Sequence, residues 1–384
     1  MADQLSGFPR HVTQHVGGMI ISSTPLAELV PIQPAAMEGR FICQWDKDSC
    51  DDARVVKIDF LALGMLSLVE ECLELIYQQG KGTLDLSRID FNAPEIYDMI
   101  CAGDTIGVFQ IESRAQVQML PRTGPRKLDD LVVQVAIVRP GPIIGGAVKP
   151  YVAHRQQQRE HERTSFLPIE PYYDHPLLEP VLAETHGVIL YQEQVLQVSM
   201  ALAGFSAGQA DALRRSMTRK RSREAMIQMW DQFRDGALAR GVSKEIAREV
   251  FRKLLGFAAY GFPKAHAVAF AVLAFQSCWL KYYYPAEFTC ALLNNQPMGF
   301  YPPHVLTNDA KRHGLRVFGP DINLSQLRCS VEGTPSGSAS AMCREWAKKR
   351  PDRLWSSGVS MATTPLWPIS CAECLFRPKR SRIW

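Results

Sequence analysis

The 384-residue sequence contains no apolar run near the roughly 18 residues that a membrane-spanning helix needs, so no span is expected. Its first residues, MADQLSGFPRHVTQ, lack the charged start and apolar stretch of a secretory leader, so secretion is not expected either. The ten cysteines are scattered without framework spacing. Reduced thiols in the cytoplasm are the expectation, not a disulfide scaffold. The one CxxC, Cys371 to Cys374, has no second pair to complete a zinc tetrad. GxxxxGK[ST], GxGxxG and GxSxG are all absent. The P-loop, dinucleotide-binding and hydrolase-elbow readings therefore have no support. A strongly basic body is lacking as well. Nine of the 43 Lys and Arg but only four of the 39 acids fall in residues 331–384, which leaves residues 1–330 within one charge of neutral. Phosphate binding in the body must rest on local clusters, not on the net charge of +4.

Hydrophobic residues make up 46% of the chain, enough for a real core and more than one domain. HVGGMIIS (15–22) and VVKIDFLAL (55–63) read as short β runs, with loops and short strands between them. From about residue 65 the pattern turns helical. In 64–80, Leu66, Val69, Leu73 and Ile76 recur at spacings of three and four. Residues 93–120 predict a helix, a glycine turn, a short strand and a second helix, and 127–142 a buried helix stopped by Pro140 and Pro142. Residues 155–175 are polar and predict a loop or insertion. Further helices are predicted in 187–206, in 207–240, in 241–263 after Ser243, in 264–284 before Pro285, and in 304–320. The tail from about residue 331 has no sustained apolar period and holds four of the seven tryptophans. Two readings stand for it: a small basic module, or translation out of frame after a shift near residue 330. Its patternless mix favours the second.

Five places carry candidate chemistry. Asp59 interrupts an apolar strand, two residues after Lys57, so both project from one face while Ile58 and Phe60 pack behind. An acid and a cation side by side suit a divalent metal with a phosphate, or a solvated pair on an edge strand. LRRSMTRKRSR (213–223) has six cations and no acid, Arg214 and Arg215 among them. That stretch is either a phosphate contact or a solvated helix end. Arg139 opens a rigid Pro-Gly-Pro turn and either aims at a phosphate or neutralises a helix C-terminus. Lys264 and His266 follow a Gly-Phe-Pro break at the first turn of an apolar helix, where anions bind, although a core histidine is the plainer alternative. His11 and His15 have metal-pair spacing only if their segment is helical.

In order along residues 8–328, RHVTQHVGGMIIS, QWDKDSCDDARVVKIDFLALG, GDTIGVFQIESRAQ, VAIVRPGPI, GVILYQEQV, LRRSMTRK, FAAYGFPKAHAVAFAVLAFQSCWLKYYYPAEF and GPDIN resemble the bacterial C-family DNA polymerases, the DNA polymerase III α-subunit family. ESRAQVQMLPR and LALGML are similar to its error-prone, translesion branch. The resemblance implies an α+β chain. Residues 1–64 would be the second part of the palm, a small mixed α/β piece, and 65–328 a mainly helical fingers domain, with an irregular basic tail over 329–384. It implies DNA-templated synthesis with Mg²⁺, primer-template DNA and deoxynucleoside triphosphates, in the cytoplasm and away from membranes. A sliding clamp and mutagenesis accessory proteins are the implied partners of the whole enzyme. Asp59 then matches the third metal-binding aspartate. Lys57, Arg214 and Arg215 match triphosphate contacts, and Arg139 and His266 match positions lining the nucleotide pocket.

Two departures stand out. The family's PDxDxDF motif, with the other two catalytic aspartates, is not in these residues, and the modules expected after GPDIN are replaced by the aberrant tail. The chain therefore reads as an internal fragment or disrupted gene product, inactive alone. The alternative is a non-catalytic remnant that binds nucleic acid or triphosphate.

Overall fold

The computed structural model describes residues 18–35, 39–45, 47–53, 55–59, 63–139, 142–143, 146–164, 172–216, 222–257, 262–296, 298–299, 301–319, 328–333 and 339–342. Its architecture is α+β, a few short antiparallel strand pairs attached to a mainly helical body, as the sequence predicts. Strand β1 (Gly18–Ile21) pairs antiparallel with β4 (Val56–Asp59), and β2 (Ile32–Pro34) with β3 (Phe41–Cys43); the short helix α1 (Lys47–Asp52) precedes β4.

Two apolar clusters organise the helices. The larger joins α2 (Leu63–Gln78), α3 (Pro94–Cys101), α4 (Arg114–Thr123), α5 (Leu128–Ile137), α6 (Val148–Thr164), and the later helices α12 (Lys264–Tyr283), α13 (Pro285–Asn294) and α14 (Pro303–Arg312). Every residue of α5 from Asp130 to Ile137 is buried, which explains its unbroken apolar run. Phe275 anchors this cluster between Phe91 and Tyr97, with ring centroids 5.2 Å from each. The smaller cluster joins α7 (Glu179–Leu182), α8 (Gln192–Ala203), α9 (Ala207–Ser216), α10 (Ser222–Ala239) and α11 (Lys244–Phe257) around Phe205, Phe233 and Phe251. Ser243 caps α11, its hydroxyl accepting from the Ile246 N–H at 3.3 Å.

Three local expectations change. The buried stripe of α2 is Met65, Leu68, Cys72 and Ile76, whereas Leu66 is half exposed. Spacings of three and four fit both phases of an apolar-rich helix, and only packing against α13 chooses between them. The strand predicted between α3 and α4 is absent among the described residues. Residues 102–113 form turns held by side chains, with Thr105 donating to the Ile111 carbonyl at 2.6 Å and the Gly107 N–H donating to Glu112 at 3.1 Å. The polar stretch predicted as a loop from 155 is helical as far as Thr164. Its inner face needs only Tyr151, Val152 and an ion-paired Arg155 to bury, too little apolar signal to read from sequence.

Residues 328–342 straddle the boundary placed at 329. Strands β5 (Ser330–Gly333) and β6 (Ala339–Met342) form a hairpin against α13, with Cys329 and Val331 buried in the larger cluster. His11, His15, Pro140, Cys371 and Cys374 lie outside the described residues, as does the tail from 343 on.

Candidate functional site

The β1–β4 register sets Gly18 opposite Asp59 and Ile20 opposite Lys57. Side chains alternate across a strand, so Lys57 and Asp59 share one face with Ile20, and Met19, Ile21, Val56 and Ile58 share the other. Lys57 is exposed and Ile58 half-buried, while the Asp59 carboxylate and Phe60 lie outside what the structure describes.

Arg139, just past the C-terminus of α5, is half-buried. Its guanidinium carbon sits 4.5 Å from the centroid of the Phe262 ring, and its Nη2 donates to Gln110 Oε1 at 2.8 Å. Gln110 adopts φ 72°, a left-handed backbone that a residue with a Cβ takes only when its surroundings impose it. Phe262 is fixed in turn by a parallel bridge to Tyr191, and its carbonyl accepts from the Gln192 N–H at 3.0 Å. His266 stands edge-on to the same Phe262 at 5.0 Å and to Phe270 at 4.2 Å, and Phe270 leans on Phe109 at 5.4 Å. One aromatic ring thus brings Arg139 and His266 together. The imidazole is exposed, so it is not a core histidine. Burial pushes the Arg139 pKa down, but arginine's high intrinsic value keeps it charged. A flat cation held on an aromatic face beside an exposed imidazole suits a negatively charged ligand.

The anion expected at the N-terminus of α12 is supplied by the chain itself. The Lys264 N–H donates to both oxygens of Glu193 at 3.2 and 3.1 Å, and the Lys264 ammonium pairs with Glu184 at 2.5 Å. On α9, Arg214 and Arg215 both reach back one turn to Asp211, at 2.8 and 2.7 Å. These contacts and their hydrogen bonds hold the Asp211 carboxyl below its usual pKa. Asp211 lies just before the acid-free window, and a helix returns it to the arginines at spacings of three and four. Arg219, Lys220 and Arg221 fall outside the described residues.

One titratable cluster was not legible in the sequence. Asp104, Asp309 and His313 present oxygen and nitrogen atoms within 4.8 Å of one another, the arrangement of a small metal site. The Lys281 ammonium already bridges both carboxylates, at 3.0 Å from Asp104 and 3.1 Å from Asp309, and Arg312 adds a second cation 2.9 Å from Asp309. His313 Nε2 lies 2.5 Å from Asp104. His313 is desolvated, which lowers its pKa, but the hydrogen bonds to Asp309 and Asp104 outweigh that and raise it. Two carboxylates facing three cationic groups leave little for a metal to neutralise. Asp309, Arg312 and His313 are neighbours on one helical face, but Asp104 and Lys281 lie far from them in sequence, and only Lys281 gives a hint, as a cation in an apolar helix.

Residues 1–62 match the family described as bacterial DNA polymerase III alpha NTPase domain, and residues 65–241 match its finger domain. The chain is 47% identical over 350 residues to an error-prone DNA polymerase of Anaeromyxobacter dehalogenans, covering 89% of this chain and 30% of that protein. It is 48% identical over 342 residues to one of Bordetella parapertussis, covering 89% and 32%, and 46% identical over 334 residues to one of Mycolicibacterium paratuberculosis, covering 86% and 30%. The chain therefore spans about a third of the length of the curated relatives it matches. Among the described residues, no helix is long and apolar enough to cross a membrane.

Proposed function

Because the chain belongs to the bacterial DNA polymerase III α-subunit family, we propose that it is part of an error-prone, damage-tolerant DNA polymerase acting in the cytoplasm on primer-template DNA and deoxynucleoside triphosphates. The observation that carries this reading is identity of 46–48% sustained over 86–89% of the chain. Residues 1–64 are read as the second part of the palm and 65–328 as the fingers. A sliding clamp and mutagenesis accessory proteins belong to the whole enzyme in this reading.

Lys57, Arg214 and Arg215 supply positive charge to the triphosphate, and Arg139 and His266 line the nucleotide pocket. Phe262 fixes the plane of the Arg139 guanidinium and Gln110 one edge, so the group is oriented before a ligand arrives. Such preorganised charge lowers the cost of gathering phosphate oxygens at a reacting centre. In nucleotidyl transfer, Mg²⁺ supplies activation of the attacking hydroxyl and stabilises the leaving pyrophosphate. The side chains of these residues do not make its site. Mg²⁺ demands near-octahedral oxygen ligation, Asp59 is a single carboxylate, and the Asp104–Asp309–His313 group is already neutralised by Lys281 and Arg312.

These 384 residues are therefore expected to show no primer extension by themselves. The test is incorporation of labelled nucleotide on a primed template with Mg²⁺. Extension that disappears in Asp59→Ala would overturn the reading of this chain as inactive alone. A non-catalytic role in binding nucleic acid or triphosphate is favoured by one feature, two arginines sharing the single carboxylate of Asp211, which leaves a positive surplus on α9. That role requires affinity that falls steeply between about 50 and 200 mM salt, because bound cations release counterions from the polyanion.

A further inference from the structure

Arg155, Gln158, Arg159 and Glu162 recur on α6 at the spacing of one helical face. That face borders a cavity of about 280 Å³ whose opposite wall is the α4–α5 corner, with Arg126, Lys127 and Asp130. Four cations line it against two carboxylates; of these cations Arg126 also pairs with Asp98, and Lys127 lies 3.9 Å from Asp129.

Arg155 is 6% exposed, and its Nη2 is held by Asp130 Oδ2 at 2.6 Å. Its Nε, also buried, has no hydrogen-bond partner among the described residues. A buried guanidinium N–H left unpaired is costly, more so than a neutral group. Gln158 Oε1, in the same lining, is likewise unpartnered among the described residues, and a flip of that amide offers its NH₂ in the oxygen's place. Asp130 does not repel an incoming anion with full charge. It accepts from Arg155 and, at 2.9 Å, from the Arg126 N–H, and it sits in the first turn of α5, where the helix dipole favours negative charge.

Arg159 lies across the backbone at the end of α4. Gly124, the left-handed cap of α4 at φ 53°, lies so close that a Cβ there would meet Arg159 Nη1 at 2.2 Å. Only glycine permits both the conformation and the guanidinium across it.

We propose that this cavity is a phosphate-binding site, with Arg155, Arg159 and Arg126 as donors to the oxygens and Lys127 as a further charge at the rim. Guanidinium groups on two walls match the several acceptor oxygens of a phosphate, which a carboxylate of equal charge would satisfy less fully. The phosphate is carried either by a nucleic-acid backbone or by a free nucleotide. The inference does not rest on the polymerase reading, since the donors select a phosphate whatever bears it.

The test is direct binding by the whole chain, in a background where Arg214 and Arg215 are both glutamine so that α9 contributes nothing. The probes are pyrophosphate, dATP and a fluorescent single-stranded 12-mer, each titrated at low salt. Arg159→Gln is expected to weaken binding about tenfold, the worth of a charged hydrogen bond, and Arg126→Gln, whose exposed guanidinium also pairs with Asp98, by about twofold. Glu162→Gln is expected to tighten it by two- to threefold, because it removes the repelling charge at the rim. Melting temperatures check that each variant folds. Loss confined to the 12-mer assigns the site to a nucleic-acid backbone; loss confined to pyrophosphate and dATP assigns it to a free nucleotide. Folded Arg159→Gln and Arg126→Gln variants that bind all three probes like the background chain, or a background chain that binds none, would overturn the proposal.

Discussion

Replacing Lys281 by methionine removes one ammonium and little volume from the far end of α12. The lysine is 8% exposed, and its Nζ donates to Asp104, to Asp309 and to the Ile106 carbonyl at 3.0–3.1 Å. Removing one member of a buried charge group costs about 3–5 kcal/mol, because the partner is left without compensation. The lower end applies here. Asp309 keeps Arg312, Asp104 keeps His313, and the Asp104 side chain is 29% exposed, so water screens part of the loss. About 3 kcal/mol is expected, or a fall in melting temperature of roughly 6 °C at the ~2 °C per kcal/mol of a large domain. Scanning fluorimetry reads the shift. Lys281→Met/Asp309→Asn should recover at least half of it, since the most buried orphaned carboxylate is then neutral. A Lys281→Met protein melting within 1 °C of the parent, or a double variant whose losses simply add, would refute the account of the cluster. Lys281 also opposes protonation of His313, so the methionine variant should move the titration of that histidine to higher pH.

Three further outcomes follow from particular contacts. Gly236→Ala on α10 improves helix propensity by about 1 kcal/mol. It nevertheless places a Cβ 2.0 Å from the Ala203 carbonyl oxygen, so net destabilisation of about 1–3 kcal/mol is expected by thermal melt; a rise in melting temperature refutes the close approach. Burial lowers the pKa of His186 to about 4 from 6.5, so the unfolded chain takes up a proton before the folded one does. Stability should be level above pH 6.5 and fall as pH drops from 6.5 towards 4, by about 3 kcal/mol at most, a slope that His186→Asn abolishes while tolerating the residue's left-handed backbone at φ 49°. His313 has the opposite sign. Its raised pKa gives stability that is full below pH 6.5 and lost as pH climbs through the folded value, and His313→Gln should flatten that alkaline limb.

What could be read from the sequence divides by the range of the interaction. The strands at Gly18–Ile21 and Val56–Asp59, and the helices from Leu128, Gln192, Lys244 and Lys264, are visible because apolar periodicity and flanking glycine or proline act within one element. The phase of α2 is not visible, since Leu66 and Met65 serve equally well until α13 packs on one of them. The helix from Val148 to Thr164 escapes notice because few of its side chains are buried. The candidate site splits in the same way. The arginines and His266 stand out as residue types in exceptional settings. Phe262, Gln110 and Asp211, which aim or neutralise them, are ordinary residues whose role appears only when tertiary contacts bring them close. Lys281 and Asp104 are 177 residues apart, beyond any spacing rule.

Those partners also rank the cations as ligand contacts. An anion arriving at Arg214 or Arg215 competes with Asp211 for the same N–H groups, at 2.8 and 2.7 Å, and must approach a carboxylate to do so. It gains only the difference between two similar ion pairs, and Arg215 is exposed enough for that difference to be screened. Among the described residues, the partners of Arg139 are neutral: an amide oxygen, a backbone carbonyl and an aromatic face. Nothing negative among them opposes a phosphate, and Arg139 is half-buried, so its field is less screened. Arg139→Gln should therefore weaken dATP binding by about tenfold or more, and Arg215→Gln by no more than about twofold, in titrations at equal salt. The reverse order would mean that Asp211 turns away when ligand binds. The α9 arginines would then be held in reserve by Asp211 and not weakened by it.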